Sequence, residues 1–223
     1  MIVTIDGPAG AGKSSIAHQV ALRLGFEFLD TGAMYRAVTL GALRDQIDLS
    51  NPVILFDYVR DVELRWDDDK IFLNGLDVTD DIRTPEVTSA IHFVADPPAI
   101  RHLLSQQQRQ IAEGRDIVTE GRDQGTDVFP HAECKIFLTA SPEERARRRQ
   151  VQLAKVGREM TVAEILETQN RRDKEDSSRD LGRLRAADDA VVVQSDGMSA
   201  EEVLDEVLRI VRASVDRCQI ENR

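Results

Sequence analysis

Ile2-Val3-Thr4-Ile5-Asp6-Gly7-Pro8-Ala9-Gly10-Ala11-Gly12-Lys13-Ser14 is the stretch whose reading decides the fold. Four apolar or β-branched residues form a short strand, and Gly7 to Ser14 fit the pattern G-x-x-x-x-G-K-S. Ser15 to Leu24 continue as a helix with Ile16, Val20 and Leu24 on one stripe. Strand, glycine-rich loop and helix in that order turn a text pattern into a mechanism. The glycines let backbone N–H groups curl around a phosphate, and the helix N-terminus adds partial positive charge. Lys13 reaches the β- and γ-phosphates in such loops, and the Ser14 hydroxyl ligates Mg²⁺. A nucleoside triphosphate is the expected ligand.

Outward from this loop, β-type runs recur at Phe26–Leu29, Ile117–Thr119, Lys135–Leu138 and Ala190–Val193. They are short, barely alternating and separated by helical patterns, as buried parallel strands are. Capping boxes are expected at Ser141-Pro142-Glu143-Glu144, Thr161-Val162-Ala163-Glu164 and Ser199-Ala200-Glu201-Glu202. Val203, Leu204, Val207, Leu208 and Val211 stripe the closing helix. The fold class is α/β, a P-loop NTPase with a five-stranded parallel sheet flanked by helices. Val62 to Val78 alternate around the polar turn Asp67-Asp68-Asp69-Lys70, which predicts an antiparallel hairpin. We read 57–95 as a small inserted subdomain of a single domain, 1–223. Gln106-Gln107-Gln108 is expected to be exposed on a helix.

Composition narrows the class. A net charge of −11 argues against a nucleic-acid polymer as partner, because polyanion binders carry a basic field. No apolar run approaches a membrane span, and no signal peptide is expected. Cys134 and Cys218 cannot make a disulfide framework and suit a reducing cytoplasm. His18, His92, His102 and His131 lack zinc-ligand spacing. Nothing resembles an assembly module, so a monomer is expected.

A phosphate loop alone does not separate a switch, a motor and a kinase. A guanine reader of the form Asn-Lys-x-Asp is missing; Asn170-Arg171-Arg172-Asp173 comes near but lies in a helical pattern. A kinase needs a second, positively charged pocket for its acceptor. Asp30-Thr31-Gly32-Ala33-Met34-Tyr35-Arg36 follows the second strand and opens a helix, where ligands bind in such sheets. Glu120-Gly121-Arg122-Asp123-Gln124-Gly125-Thr126 follows the third strand and sets a guanidinium beside a carboxylate. Arg172, Asp176 and Arg179 fall on one helical face, as a binding surface or as an intrahelical salt-bridge ladder.

In this order, and together with Ile82-Arg83-Thr84-Pro85-Glu86-Val87 and Lys135-Ile136-Phe137-Leu138, these segments resemble the bacterial-type cytidylate kinases. The resemblance covers nearly the whole chain. It implies a nucleoside monophosphate kinase with the insert binding the monophosphate and a short lid near 145–160. It implies transfer of the γ-phosphoryl group of ATP to CMP or dCMP in pyrimidine nucleotide metabolism, with Mg²⁺ as cofactor. ATP would lie against Gly7, Pro8, Ala9, Gly10, Ala11, Gly12, Lys13, Ser14 and Ser15, with Arg148, Arg149 and Arg158 closing from the lid. Thr31, Tyr35, Arg36 and Arg122 would form the acceptor pocket, and Lys13, Arg36 and Arg122 would act on the phosphates in flight. Arg101, Asp123 and Arg179 would read the base, and Arg172 and Asp176 the sugar. Ser14 would hold Mg²⁺ directly and Glu120 through water. The chain departs from the family at His92, where a cytosine-binding serine is expected; Ser89 is the nearest alternative.

Overall fold

A computed structural model describes residues 1–67, 69–155 and 157–221, with side chains as far as Asp216. Asp68 of the hairpin turn and the Cys218 side chain lie outside the described residues. The chain divides into two units, Met1–Phe28 with Arg115–Arg223, and Leu29–Gly114.

The first unit is built on a parallel five-stranded sheet of order β2-β6-β1-β7-β8. Its strands are β1 (Ile2–Asp6), β2 (Glu27–Asp30), β6 (Ile117–Gly121), β7 (Cys134–Thr139) and β8 (Val191–Gln194). β1 is central, its β-branched residues buried from Val3 onward. The register pairs Asp6 with Gly121 on one side and with Phe137 on the other. The loops after β1, β6 and β7 therefore leave the sheet at one end, where open α/β sheets bind ligands. β8 corrects the reading of five buried strands. It is an edge strand, and of its valines Val191 and Val192 are exposed while Val193 is buried.

Helices α1 (Lys13–Leu24) and α8 (Ala200–Glu221) pack their apolar stripes on this sheet. Ile16, Ala17 and Val20 meet Val3, Ile5, Ile136 and Leu138, and Val203, Leu204, Val207, Leu208 and Val211 complete the cluster. α6 (Pro142–Lys155) and α7 (Val162–Ser178) pair around Ala146, Leu153 and Ile165. Where the chain leaves the unit and where it returns are neighbours: the Glu27 N–H donates to the Asp116 carbonyl at 2.9 Å, and Arg115 pairs with Glu27 at 2.6 Å.

The second unit holds α2 (Thr31–Arg44), α3 (Pro52–Asp61), α4 (Pro85–Ala95) and α5 (Pro98–Ala112). Beside them is an antiparallel sheet of β3 (Leu64–Asp67), β4 (Lys70–Leu73) and β5 (Leu76–Asp77). The expected hairpin pairs Leu64 with Leu73 and Trp66 with Ile71; a third strand, pairing Phe72 with Asp77, follows it. Met34, Leu55, Ile71, Ile82, Ile100 and Leu104 are fully buried within this unit.

Three local expectations are corrected. Gln108 is completely buried, because the turn of α5 carries it to the face opposite exposed Gln106. Ser141 caps α6 by accepting from the Glu144 N–H at 3.3 Å, but its own N–H donates to Asp196, leaving Glu144 to Arg148. The boxes at Thr161–Glu164 and Ser199–Glu202 close in both directions. Arg179 lies just past the end of α7 in an extended conformation, so its pairing with Asp176 wraps the helix terminus.

Candidate active site

The phosphate loop is shaped by the backbone. Gly7 (φ 149°) runs so close to β7 that a Cβ there would stand 2.0 Å from the Leu138 carbonyl oxygen. Gly12 (φ 89°) enters α1 without a side-chain cap, so no capping side chain takes the first N–H groups of the helix, the kind of terminus that suits an anion. Lys13 is buried, and its Nζ donates to the Pro8 carbonyl at 2.9 Å. Burial, then Arg122 beside it, pushes the Lys13 ammonium down to about 7, although Glu120, Asp6 and Asp176 pull the other way. The Ser14 hydroxyl donates to Glu120 Oε1 at 2.8 Å.

Asp6, at the end of β1, was quoted only as part of a motif, yet it organises the next strand's loop. Its two carboxylate oxygens accept from the N–H groups of Gln124 (2.9 Å) and Gly125 (2.7 Å). Burial raises its carboxyl to about 7 against those two hydrogen bonds. They anchor a wide π-type turn, Gln124–Val128, headed by Asp123. Asp123 is buried, and its carbonyl accepts from Asp127 and Val128. Just before it, Arg122 Nε donates to Asp176 Oδ2 at 3.0 Å and Nη1 to the Gly121 carbonyl at 3.3 Å. Arg179 holds Asp176 Oδ1 at 2.7 Å. Burial opposes the Asp176 charge, but Arg122, Arg179 and Arg172 hold the carboxyl below its ordinary value.

These contacts, and the charge interactions that join them, gather Lys13, Ser14, Glu120, Arg122, Asp176 and Arg179 into one charged cluster at the carboxyl end of the sheet. The salt-bridge ladder is real but not confined to one helix, because Arg122 enters it from the loop after β6. Of the arginines expected in a lid, Arg148 is engaged by Glu144 and by Ser195, whose carbonyl accepts at 2.6 Å. Arg149 is exposed and donates to Gln152 at 3.3 Å; Arg158 is exposed.

In the second unit, Asp30 caps α2 by accepting from the Ala33 N–H at 2.9 Å, and Thr31 opens the helix. Arg101 is buried, donates to the Ala95 carbonyl at 2.8 Å and lies 5.3 Å over the ring of Tyr35. Arg36 is half-buried and folds back along the first turn of its helix, toward Gly32. His92 is exposed on α4, its ring Nδ1 donating at 2.9 Å to the carbonyl of Ser89 one turn earlier.

Two residues at the phosphate loop went unnoticed in the sequence. Arg145 is buried and donates to the Ala9 carbonyl at 2.8 Å; Asp173 accepts from the Ala9 N–H at 3.3 Å. The only sequence hints were an arginine cluster and a carboxylate in the imperfect guanine-reader pattern. Among the described residues, no group of three or more His, Cys, Asp or Glu side chains is placed to hold a metal ion. No helix among them is long and apolar enough to cross a membrane.

The family model described as cytidylate kinase matches residues 3–213. The chain belongs to the cytidylate kinase family. It is a phosphotransferase of the class that phosphorylates CMP and dCMP with ATP. It is 64% identical to a cytidylate kinase of Rhodopirellula baltica, an alignment covering 96% of this chain and 94% of that protein. A cytidylate kinase of Caldanaerobacter subterraneus is 42% identical, with 94% of each chain covered. A bifunctional pantoate ligase/cytidylate kinase of Prochlorococcus marinus is 46% identical, and this chain spans only 43% of it. Among solved structures, a shikimate kinase from Bacteroides thetaiotaomicron superposes with a TM-score of 0.50 at 12% identity, covering 97% of this chain and 98% of that one. That likeness speaks to the fold alone.

Proposed function

We propose that the chain performs its family's reaction, ATP plus CMP or dCMP giving ADP plus CDP or dCDP, with the labour divided as follows. Gly7 to Ser15 bind the ATP phosphates through backbone N–H groups, and Lys13 meets the transferring group. The Ser14–Glu120 pair offers two hard oxygens at 2.8 Å, which fits Mg²⁺, a cation that takes few protein ligands beside phosphates and water. Ser14 would hold the ion directly and Glu120 through a water; when bound, it neutralises phosphate charge. Arg148, Arg149 and Arg158 close on the phosphates.

On the acceptor side, the family resemblance assigns Arg36 and Arg122 to the acceptor phosphate, and Thr31 and Tyr35 to the acceptor pocket. Arg172 and Asp176 read the sugar; Arg101, Asp123 and Arg179 read the base. The segment 57–95 serves the monophosphate and 145–160 the lid. The acceptor phosphate is already anionic near neutral pH, so no general base is assigned. Catalysis is positioning and charge neutralisation as two polyanions approach in line. The observation that carries this division is the nearness of two cations, buried Lys13 after the loop that follows β1 and half-buried Arg122 in the loop that follows β6.

We take the enzyme as a cytoplasmic monomer with no nucleic-acid or membrane partner. The acidic net charge and the buried Cys134, which forms no disulfide, support that reading. The test is ADP release, coupled to a spectroscopic readout, across CMP, dCMP, UMP, AMP and GMP. Turnover with CMP and dCMP well above the rest is expected; equal turnover of all five overturns the assignment of the base readers.

A further inference from the structure

Arg145, Asp173 and the Ala9 backbone form a closed ring. Arg145 Nη1 donates to the Ala9 carbonyl at 2.8 Å and forms an ion pair with Asp173 Oδ2 at 2.6 Å, while Asp173 Oδ1 accepts from the Ala9 N–H at 3.3 Å. Arg145 Nε donates to the Ala140 carbonyl at 3.2 Å, just past β7. Both side chains come from α6 and α7, yet they grip one residue of the phosphate loop by both of its peptide groups. Arg145 is almost wholly enclosed, at 4% exposure. A buried guanidinium fully engaged in this way fixes backbone geometry rather than searching solvent.

The planarity of the trans peptide gives the grip a direction, because a carbonyl and the N–H that follows it point opposite ways. The Pro8 carbonyl faces Lys13 Nζ at 2.9 Å, so the Ala9 N–H of the same peptide faces away from Lys13, toward Asp173. Arg145 stands with Asp173 on that far side and draws the Ala9 carbonyl there. The Gly10 N–H, which shares that peptide, must then point back to the side of Lys13. Gly10 itself (φ 81°) lies in the left-handed region that favours glycine, and a Cβ there would also push on Gln169 Nε2, 2.5 Å away, and crowd the Arg145 carbonyl oxygen at 3.3 Å.

We infer that Arg145 and Asp173 are positioning residues for the ATP phosphates, turning the two peptides around Ala9 so that Gly10 N–H and Lys13 face the bound nucleotide. They touch no phosphate themselves. The ring also ties α6 and α7 to the loop, so a movement of this helical pair is transmitted to the peptide that meets the nucleotide. The inference rests on the reading of Gly7–Ser15 as the ATP site.

The test combines calorimetric titration of ADP with steady-state kinetics in ATP and CMP for Arg145→Met, Arg145→Lys and Asp173→Asn. Arg145→Met should weaken ADP binding and raise the KM for ATP by about ten- to a hundredfold, the range for losing a charge-assisted hydrogen bond to a buried group. The KM for CMP should stay within about twofold, since the ring touches only the donor side. Arg145→Lys should recover part of the loss, and Asp173→Asn, which keeps an acceptor for Ala9 but loses the ion pair, should fall between. The double variant Arg145→Met with Asp173→Asn should be no worse than Arg145→Met alone, since both act as one ring. Unchanged ADP affinity in folded Arg145→Met overturns the inference. So does a lowered melting temperature with both KM values raised alike and no rescue by lysine. If Arg145→Met does not fold, ADP affinity within twofold of wild type in both Arg145→Lys and Asp173→Asn overturns it equally. Wild type that binds ADP but turns over neither CMP nor dCMP would sink the proposed reaction and leave the ring intact, because the ADP titration needs no acceptor.

Discussion

The phosphate loop and the cluster around Asp176 are both rich in charge, but they are made in opposite ways. In the loop, the groups proposed to face the nucleotide are backbone N–H donors of Gly10 to Ser14, set mainly by the local glycine-rich sequence, with Ala9 held from outside by Arg145 and Asp173. In the cluster, Arg122, Asp176 and Arg179 come from a loop after β6 and the end of α7, and meet only because the sheet brings those segments together. The first is a device of local sequence and the second of tertiary structure. Substitutions should therefore act sharply and simply on the loop, and in a graded, coupled way on the cluster.

Lys13→Met should have the largest effect, lowering kcat by about a thousandfold or more, since it removes the charge where negative charge develops in transfer. The same change should raise the melting temperature at pH 6. Lys13 ionises near 7 in the folded protein but near 10.5 when unfolded, so below pH 7 the fold bears the full cost of its burial. That cost fades as pH rises from 7 toward 10.5, and the stabilisation by methionine should shrink with it. A variant with normal turnover, or with equal melting temperatures at pH 6 and pH 9 relative to wild type, breaks the contrast.

Next in size is Arg122→Met. It should raise the KM for CMP by about ten- to a hundredfold and, unlike any change in the loop, leave ADP affinity nearly unaltered. Loss of ADP binding with CMP binding intact would show that donor and acceptor sides are assigned backwards. Asp123→Asn should be smaller still. It should narrow the gap between CMP and UMP by about tenfold, because a carboxylate accepts from the cytosine amino group but opposes the uracil O4. A fall in CMP activity with an unchanged CMP-to-UMP ratio would assign Asp123 to the π-type turn alone. Smallest, and outside both regions, Thr161→Ala should cost about 1 kcal/mol by opening the two-way cap of α7, with no change in either KM. Chemical denaturation would measure it.

Much of this architecture was legible because it is written in short-range patterns. The five strands, the helix stripes on α1 and α8, the hairpin and two of the three capping boxes follow from neighbours a few residues apart. What escaped depends on contacts between distant segments. Asp196 reaches Ser141 and displaces the reciprocal half of the third box. β8 reads as buried until the sheet order makes it an edge. Asp173, Arg145 and Asp6 each carry a type of residue common on surfaces; only their partners, Ala9 and the Gln124 and Gly125 amides, reveal what they hold. The acceptor roles proposed for Arg36 and Arg122 rest on resemblance rather than on spacing.

The central place of β1 also sets a timetable for assembly. The phosphate loop is made well before its partners: Ile2 cannot pair until Ile117 exists, nor Val3 until Cys134 does. The loop then waits for Arg145 and Asp173. Such long-range closures slow folding, and an apolar strand left unpaired meanwhile is open to aggregation. A nascent chain released before α7 should therefore possess the entire nucleotide-binding motif and still be unable to retain a nucleotide. ATP bound at the proposed site would then act as a folding ligand, drawing the later helices onto a loop translated before them.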